Sequence, residues 1–336
     1  WREGGEAVRL TQLGDVREVI SSDDGLIIGF VRGADKSAVY NGREEYRTPE
    51  LWAVNNDGSN VRQLLSADEL TALAGGAPNA LRAGLRELKW VPGQHTLAFD
   101  VFPRGWGLGW EPRDAIWLVD ADTGKRRALL PPGKAGNFVY APDGGQIALI
   151  TSKGISLVNA DGSDLRANLV TYPAVGLGET THRPSVWWAA DSRSLHTVVP
   201  TTREYETVMT LAIWNVPVDG TSPTQLGIVA TAGFSAAHSP DLAYIAFWRP
   251  DSPRSNQRDL NLARADGTGE AVYHTAYGLE FLGWAPDSEH FVFWKSGEWI
   301  PQLGHLCGDF VPLMDAPTAS FRWIDASRFL FVSSPK

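Results

Sequence analysis

The stretch from Pro103 to Asp114, PRGWGLGWEPRD, holds the residues of this sequence best suited to chemistry outside a core. Trp106 and Trp110 stand among glycines, where no strand-like alternation claims them. An exposed indole offers a flat apolar face and one N–H donor, and glycine neighbours free the backbone to present it. Arg104 and Arg113 beside them can hold a carboxylate through paired hydrogen bonds. The same residue types recur in other irregular stretches, as Tyr46, Tyr172, His182, Arg203, Tyr205, Arg254, Arg258 and Trp299. Aromatic residues and arginines with few lysines compose a recognition surface. Arg104, Trp106, Trp110 and Arg113, with Tyr46, His182, Arg203, Tyr205, Arg254, Arg258 and Trp299, are therefore the candidate ligand-binding residues.

Acid–base chemistry on a sugar needs two carboxylates that converge. Glu111, Asp114, Glu204 and Asp259 lie in the same kind of stretch and are the residues such a reaction would use. Other catalytic patterns are missing from the sequence: there is no G-x-S-x-G elbow, no H-E-x-x-H and no Cys/His cluster at zinc spacing. The seven histidines are dispersed, and only His182, beside Glu179 and Arg183, falls in a loop-rich region. Acidic turns such as Asp120–Gly124 and Asn159–Asp164 lack the spacing and final Glu of a calcium loop. No catalytic residue, metal or cofactor is expected on this reading. The lone Cys307 excludes an internal disulfide and is expected to be a half-buried turn residue.

What positions these residues is a repeat. The unit Gly136–Asn168 reads as four short strands, Phe138–Tyr140, Gln146–Ile150, Ile155–Asn159 and Leu165–Asn168. Pro142-Asp143-Gly144 and Asp161-Gly162 supply the turns, since Pro fixes φ, Asp caps backbone donors and Gly takes positive φ. The first-turn pattern P-D-G-x-x-I-A-F recurs from Asp23, Pro92, Pro142, Ala190, Pro240, Pro286 and Ile324, at spacings of 69, 50, 48, 50, 46 and 38. Two residues before it stand Trp90, Tyr140, Trp188, His238 and Trp284. Four strands per period of about 40–50 residues specify an all-β fold, a single β-propeller of four-stranded antiparallel blades.

These two motifs, aromatic-x-P-D-G-x-x-I-A-F and L-W-x-V-x-x-D-G, resemble the TolB-like propeller repeat, a relative of the WD-type repeat. The resemblance runs from about Val8 to Val332 and implies the fold. The TolB N-terminal α/β domain has no counterpart in the given sequence, so TolB's partners are not carried over. Family members include exported bacterial proteins, and a periplasmic or extracellular location is expected, with the targeting segment missing from a chain that starts at Trp1.

The whole chain, 1–336, is read as one propeller domain. The stretch from Glu3 to Leu13 fits the end of a repeat, as an outer strand, and Ser320–Ser333 fits the first half of one. Seven blades are therefore expected, the closing one split between about 1–13 and 319–336; six is the alternative. Ser66 with Glu69 signals a helix start, and a helical insertion is expected over about 66–88. The tight turns all belong at one end of the blade strands, while the long loops fall at the other, which makes that end the binding face. A net charge of −9 argues against nucleic acid, and no apolar run is long enough to span a membrane. The expected function is recognition of a protein, peptide or glycan by a monomer. A polysaccharide lyase or hydrolase at the channel mouth is the alternative.

Overall fold

The computed structural model describes residues 9–13, 15–33, 38–40, 43–45, 48–75, 82–104, 114–177, 180–250, 257–294, 300–314, 318–325 and 327–333. They fall into two compact units, Trp1–Asn137 with Ala319–Val332, and Phe138–Thr318 with Ser333–Lys336.

In the first unit, blade one comprises β1 (Val16–Ser21), β2 (Ile27–Arg32), β5 (Glu50–Asn55) and β6 (Arg62–Leu65), with the hairpin β3 (Ala38–Tyr40) and β4 (Arg43–Glu45) between its second and third strands. The helix α1 (Ala67–Leu73) follows, and its start was legible. Ser66 Oγ accepts the Glu69 N–H while Glu69 Oε2 accepts the Ser66 N–H, closing a capping box. The second half of the expected helical insertion is different. Leu85 lies in β7 (Arg82–Trp90), opposite Val101 of β8 (Thr96–Arg104), because pairing with a neighbouring strand overrides local propensity. Blade two is completed by β9 (Ile116–Asp120) and β10 (Arg126–Leu130).

The second unit holds four more blades. Blade three is β11 (Asn137–Tyr140), β12 (Gln146–Ile150), β13 (Gly154–Asn159) and β14 (Arg166–Thr171), close to the strands expected from the repeat. A short pair, β15 (Gly176–Leu177) and β16 (Thr180–Thr181), leads to blade four: β17 (Val186–Trp188), β18 (Ser194–Pro200), β19 (Val208–Pro217) and β20 (Thr224–Ala232). Blade five is β21 (Ala236–His238), β22 (Tyr244–Pro250), β23 (Gln257–Arg264) and β24 (Ala271–Tyr277). Blade six is β25 (Glu280–Trp284), β26 (His290–Trp294), β27 (Gln302–His305) and β28 (Phe310–Pro312).

The fold is thus an all-β propeller, and six four-stranded blades form among the described residues, the number given as the alternative. The seventh copy of the motif makes a two-stranded sheet, β29 (Thr318–Trp323) with β30 (Phe329–Ser333). Among the described residues no four-stranded seventh blade forms: Leu10 and Leu13 lie in no strand, though both pack with Leu330 and Val332 on Val19 and Phe30 of blade one. Cys307 does sit in the turn between β27 and β28, but it is exposed, not half-buried.

Neighbouring blades are joined by two kinds of rung. Trp90, Trp188 and Trp284 are 8, 7 and 8% exposed, as their place in the repeat requires. Each indole N–H donates to a backbone carbonyl in the preceding blade's first strand: Ile20 O at 3.3 Å, Val139 O at 3.1 Å and Ala237 O at 3.0 Å. At the turn, Ser192 and Ser288 take the place of the motif's glycine, with φ of 59° and 63°. Their hydroxyls accept the N–H of Asp143 and Asp241 in the preceding blade, both at 3.0 Å. Blade four is tied to blade three, and blade six to blade five, by both rungs.

Candidate recognition site

The β18–β19 loop carries no tight-turn motif, so β18 stops at Pro200 and β19 begins at Val208, opposite Ala232. That register sets Gly233 beside Thr207, whose carbonyl accepts the Gly233 N–H at 3.2 Å. The link into blade four and the link out of it reach the same end of the strands. There the His182 ring lies flat on Phe234, with centroids 3.4 Å apart and planes 6° apart. Tyr205 tilts over Phe234 with centroids at 6.0 Å and is itself 55% exposed. The three rings form a ledge that presents Tyr205 to solvent.

The ledge is held from below. The His182 backbone N–H donates to Val175 O at 2.9 Å, and the buried Thr231 hydroxyl donates to Gly233 O at 2.7 Å. Burial pushes the His182 imidazole down to about 4, so it stacks as a neutral ring at pH 7. Within the loop, Thr201 Oγ1 donates to Thr210 O at 3.0 Å and the Glu206 N–H meets Met209 Sδ at 3.2 Å. Arg203 and Glu204 beside Tyr205 are exposed.

Of the residues expected to bind, the structure brings His182 and Tyr205 together, with Arg203 on the same loop. Arg258 is half-buried in β23, opposite Pro250 and Ala276, and Arg104 ends β8 opposite Arg82. Tyr46, Trp106, Trp110, Arg113, Arg254 and Trp299 lie outside the described residues. Tyr172 is not a surface residue: it is buried, donates its hydroxyl to Thr151 O at 2.6 Å, and burial pushes its pKa up. Phe234 was missed. It precedes a strand in the repeat, and only its meeting with a ring from the previous link marks it.

The carboxylates considered for sugar chemistry are placed differently. Asp114 accepts a hydrogen bond from Arg86 Nη2, while Arg86 Nε donates to Asp100 Oδ2 at 2.5 Å. Asp100 also takes the N–H groups of Val101 and Ala115 at 2.9 and 3.1 Å. Burial pushes Asp100 up, and the Arg86 guanidinium counters it. This triad holds Asp114 and Ala115 at the entry to β9, and neither Arg86 nor Asp100 stood out in the sequence because each lies in an ordinary strand position. Asp259 accepts the Thr275 hydroxyl at 2.6 Å. Glu111 lies outside the described residues, among which no three His, Cys, Asp or Glu side chains are grouped to hold a metal ion.

Six four-stranded antiparallel sheets among the described residues, with the same turns and first-strand tryptophans recurring among them, define a β-propeller protein. Solved structures match it as such. TolB from Acinetobacter baumannii aligns with a TM-score of 0.51 at 15% identity, over 86% of this chain and 63% of that one. Oligogalacturonate lyase from Vibrio parahaemolyticus aligns with a TM-score of 0.59 at 13% identity, over 88% and 79%. An oligogalacturonate lyase in complex with manganese gives 0.57 at 14%, over 88% and 77%. At these identities the likeness is one of fold. No protein-family model and no curated protein matches the chain. Among the described residues no helix is long and apolar enough to cross a membrane.

Proposed function

We propose that this propeller is a recognition module that binds its ligand at the loop-bearing end of the blades, with the Tyr205 ledge as part of the binding surface. The observation that supports this reading is an exposed tyrosine already held in place by stacked Phe234 and His182 rings. A large ring fixed before binding loses little freedom on contact, so its buried area is converted to affinity efficiently. Arg203 adds a planar donor fork that suits a carboxylate. The ligand is then an acidic glycan or an acidic peptide or protein segment, met in the periplasm or outside the cell by a monomeric module. Two of the structural neighbours bear the name oligogalacturonate lyase, and an acidic oligosaccharide of that kind is the first ligand to try.

The test is calorimetric titration of the protein with oligogalacturonate, with a neutral oligosaccharide and with a poly-glutamate peptide. Binding of one acidic ligand, weakened about tenfold or more by Tyr205→Ala, is expected, since a truncated interface anchor costs upward of about 1–2 kcal/mol. An acidic ligand that binds Tyr205→Ala and Arg203→Ala as tightly as the wild type would remove this ledge from the site.

A further inference from the structure

The joint between blades four and five lacks both rungs that tie blade four to three and blade six to five. Where a tryptophan would donate to the preceding blade stands His238, and where Ser192 and Ser288 accept a backbone N–H stands Leu242. Leu242 holds the same turn conformation, φ 59°, with no polar atom to offer. His238 is 2% exposed, and its ring nitrogens make no hydrogen bond of good geometry, the Tyr244 backbone being the one polar group near enough to favour its protonated form. Its ring meets His196 of β18 at 5.0 Å and Trp187 of β17 at 5.1 Å, and His196 Nδ1 is likewise buried without a partner. A third histidine, His182, closes the loop end of the same joint through its stack on Phe234.

We propose that this joint is an acid-sensitive hinge, which opens as its histidines take up protons and takes the ledge apart as it does so. This rests on the recognition reading for its consequence, release of ligand, but not for the motion itself. His182 and Tyr205 move with blade four, whereas Phe234 leads directly into β21 of blade five. Opening therefore separates the rings that hold Tyr205.

The sign follows from the burial. All three imidazoles are held below the usual 6.5 by desolvation, His182 to about 4 and His238 to about 3. The closed joint therefore excludes protons that an open one would bind. Above pH 6.5 both forms are neutral and nothing changes. As pH falls below 6.5 the open form gains, by about tenfold per pH unit for each histidine that becomes accessible. No carboxylate among the described residues acts on His182, His196 or His238, and the one charged neighbour, His196 beside His238, disfavours protonation further. Across the joint Arg249 Nε of β22 donates to Ala230 O of β20 at 2.7 Å, while its pairing with Glu270 at 2.8 Å stays within blade five. The remaining hold is apolar, from Val229, Ile213 and Met209 against Ile245 and Phe247.

Hydrogen exchange read by mass spectrometry at pH 7.5 and pH 5.0, corrected for the intrinsic rate, tests the hinge without any ligand. Protection of β17 and β21, taken relative to β13, is expected to fall at least tenfold between the two values. His238→Phe and, separately, His182→Phe should each shrink that fall by threefold or more. A relative protection constant within twofold in the wild type overturns the proposal, whether or not the variants fold. So does a wild-type fall that both variants reproduce in full. Loss of ligand binding in Tyr205→Ala with this exchange pattern unchanged would separate the hinge from the recognition reading.

Discussion

At the scale of single residues, the tryptophans show how far position in a repeat reaches. Trp188 stands two residues before its turn motif, and its burial could be read from that place alone. Its hydrogen bond could not, because Val139 lies one blade back and its carbonyl carries no sequence signature. Trp188→Ala removes a buried ring from the cluster with Val186, Val199 and Tyr172 as well as the indole donor. A loss of roughly 3–5 kcal/mol in urea unfolding is expected; a loss under about 1 kcal/mol would show that the indole is not part of the core. The site residues were less legible for the same kind of reason. Tyr205 was singled out as an aromatic in a loop, while Phe234 and the Arg86–Asp100–Asp114 triad depend on strands brought together only by folding. Tyr172 was misplaced because a loop position in sequence does not reveal which way its hydroxyl turns.

At the scale of elements, turns were the legible part and strand edges the hidden one. Proline, aspartate and glycine locate the hairpins, and blade three follows them to within three residues at each strand end. Leu85 falls within the helical insertion expected over about 66–88, whereas β8 is available to pair with it. Close approach between elements left an even fainter mark. A Cβ on Gly227, in the outer strand of blade four, would collide with the carbonyl oxygen of Asp266, in the second turn of blade five. Gly227 is held by its pairing with Ile213, and Asp266 by the hydrogen-bonded turn from Arg264 to Thr268. Gly227→Ala should therefore destabilise the protein by about 1–3 kcal/mol, an overpacking cost, despite the usual gain from replacing a strand glycine. Thermal unfolding of the variant measures it, and a Tm equal to the wild type would mean that the two elements part easily.

At the scale of the whole molecule, the blade count shows what a repeat motif can and cannot say. Seven motifs were present, and each gives a first hairpin, including the last one in β29 and β30. Six of them also acquire third and fourth strands, each of the six followed by a second turn signal, whereas β29 and β30 pair only with each other among the described residues. The remaining hairpin contributes otherwise: Leu330 and Val332 pack beside Leu10 and Leu13 on Val19 and Phe30.

That packing has a consequence for the order of assembly. Within each blade the strands that pair are near neighbours in sequence, and each can form soon after it leaves the ribosome. The rungs lengthen the wait by one blade, since Ile20 receives its indole only when Trp90 has been made. Blade one must wait for Leu330 and Val332, distant in sequence, to cover its Phe30 cluster. Of the six blades, the one made first is thus the last completed. In pulse-labelled refolding, amides of β1 and β2 should gain protection after those of β12 and β13, and removing residues 318–336 should slow or abolish the former while leaving the latter in place.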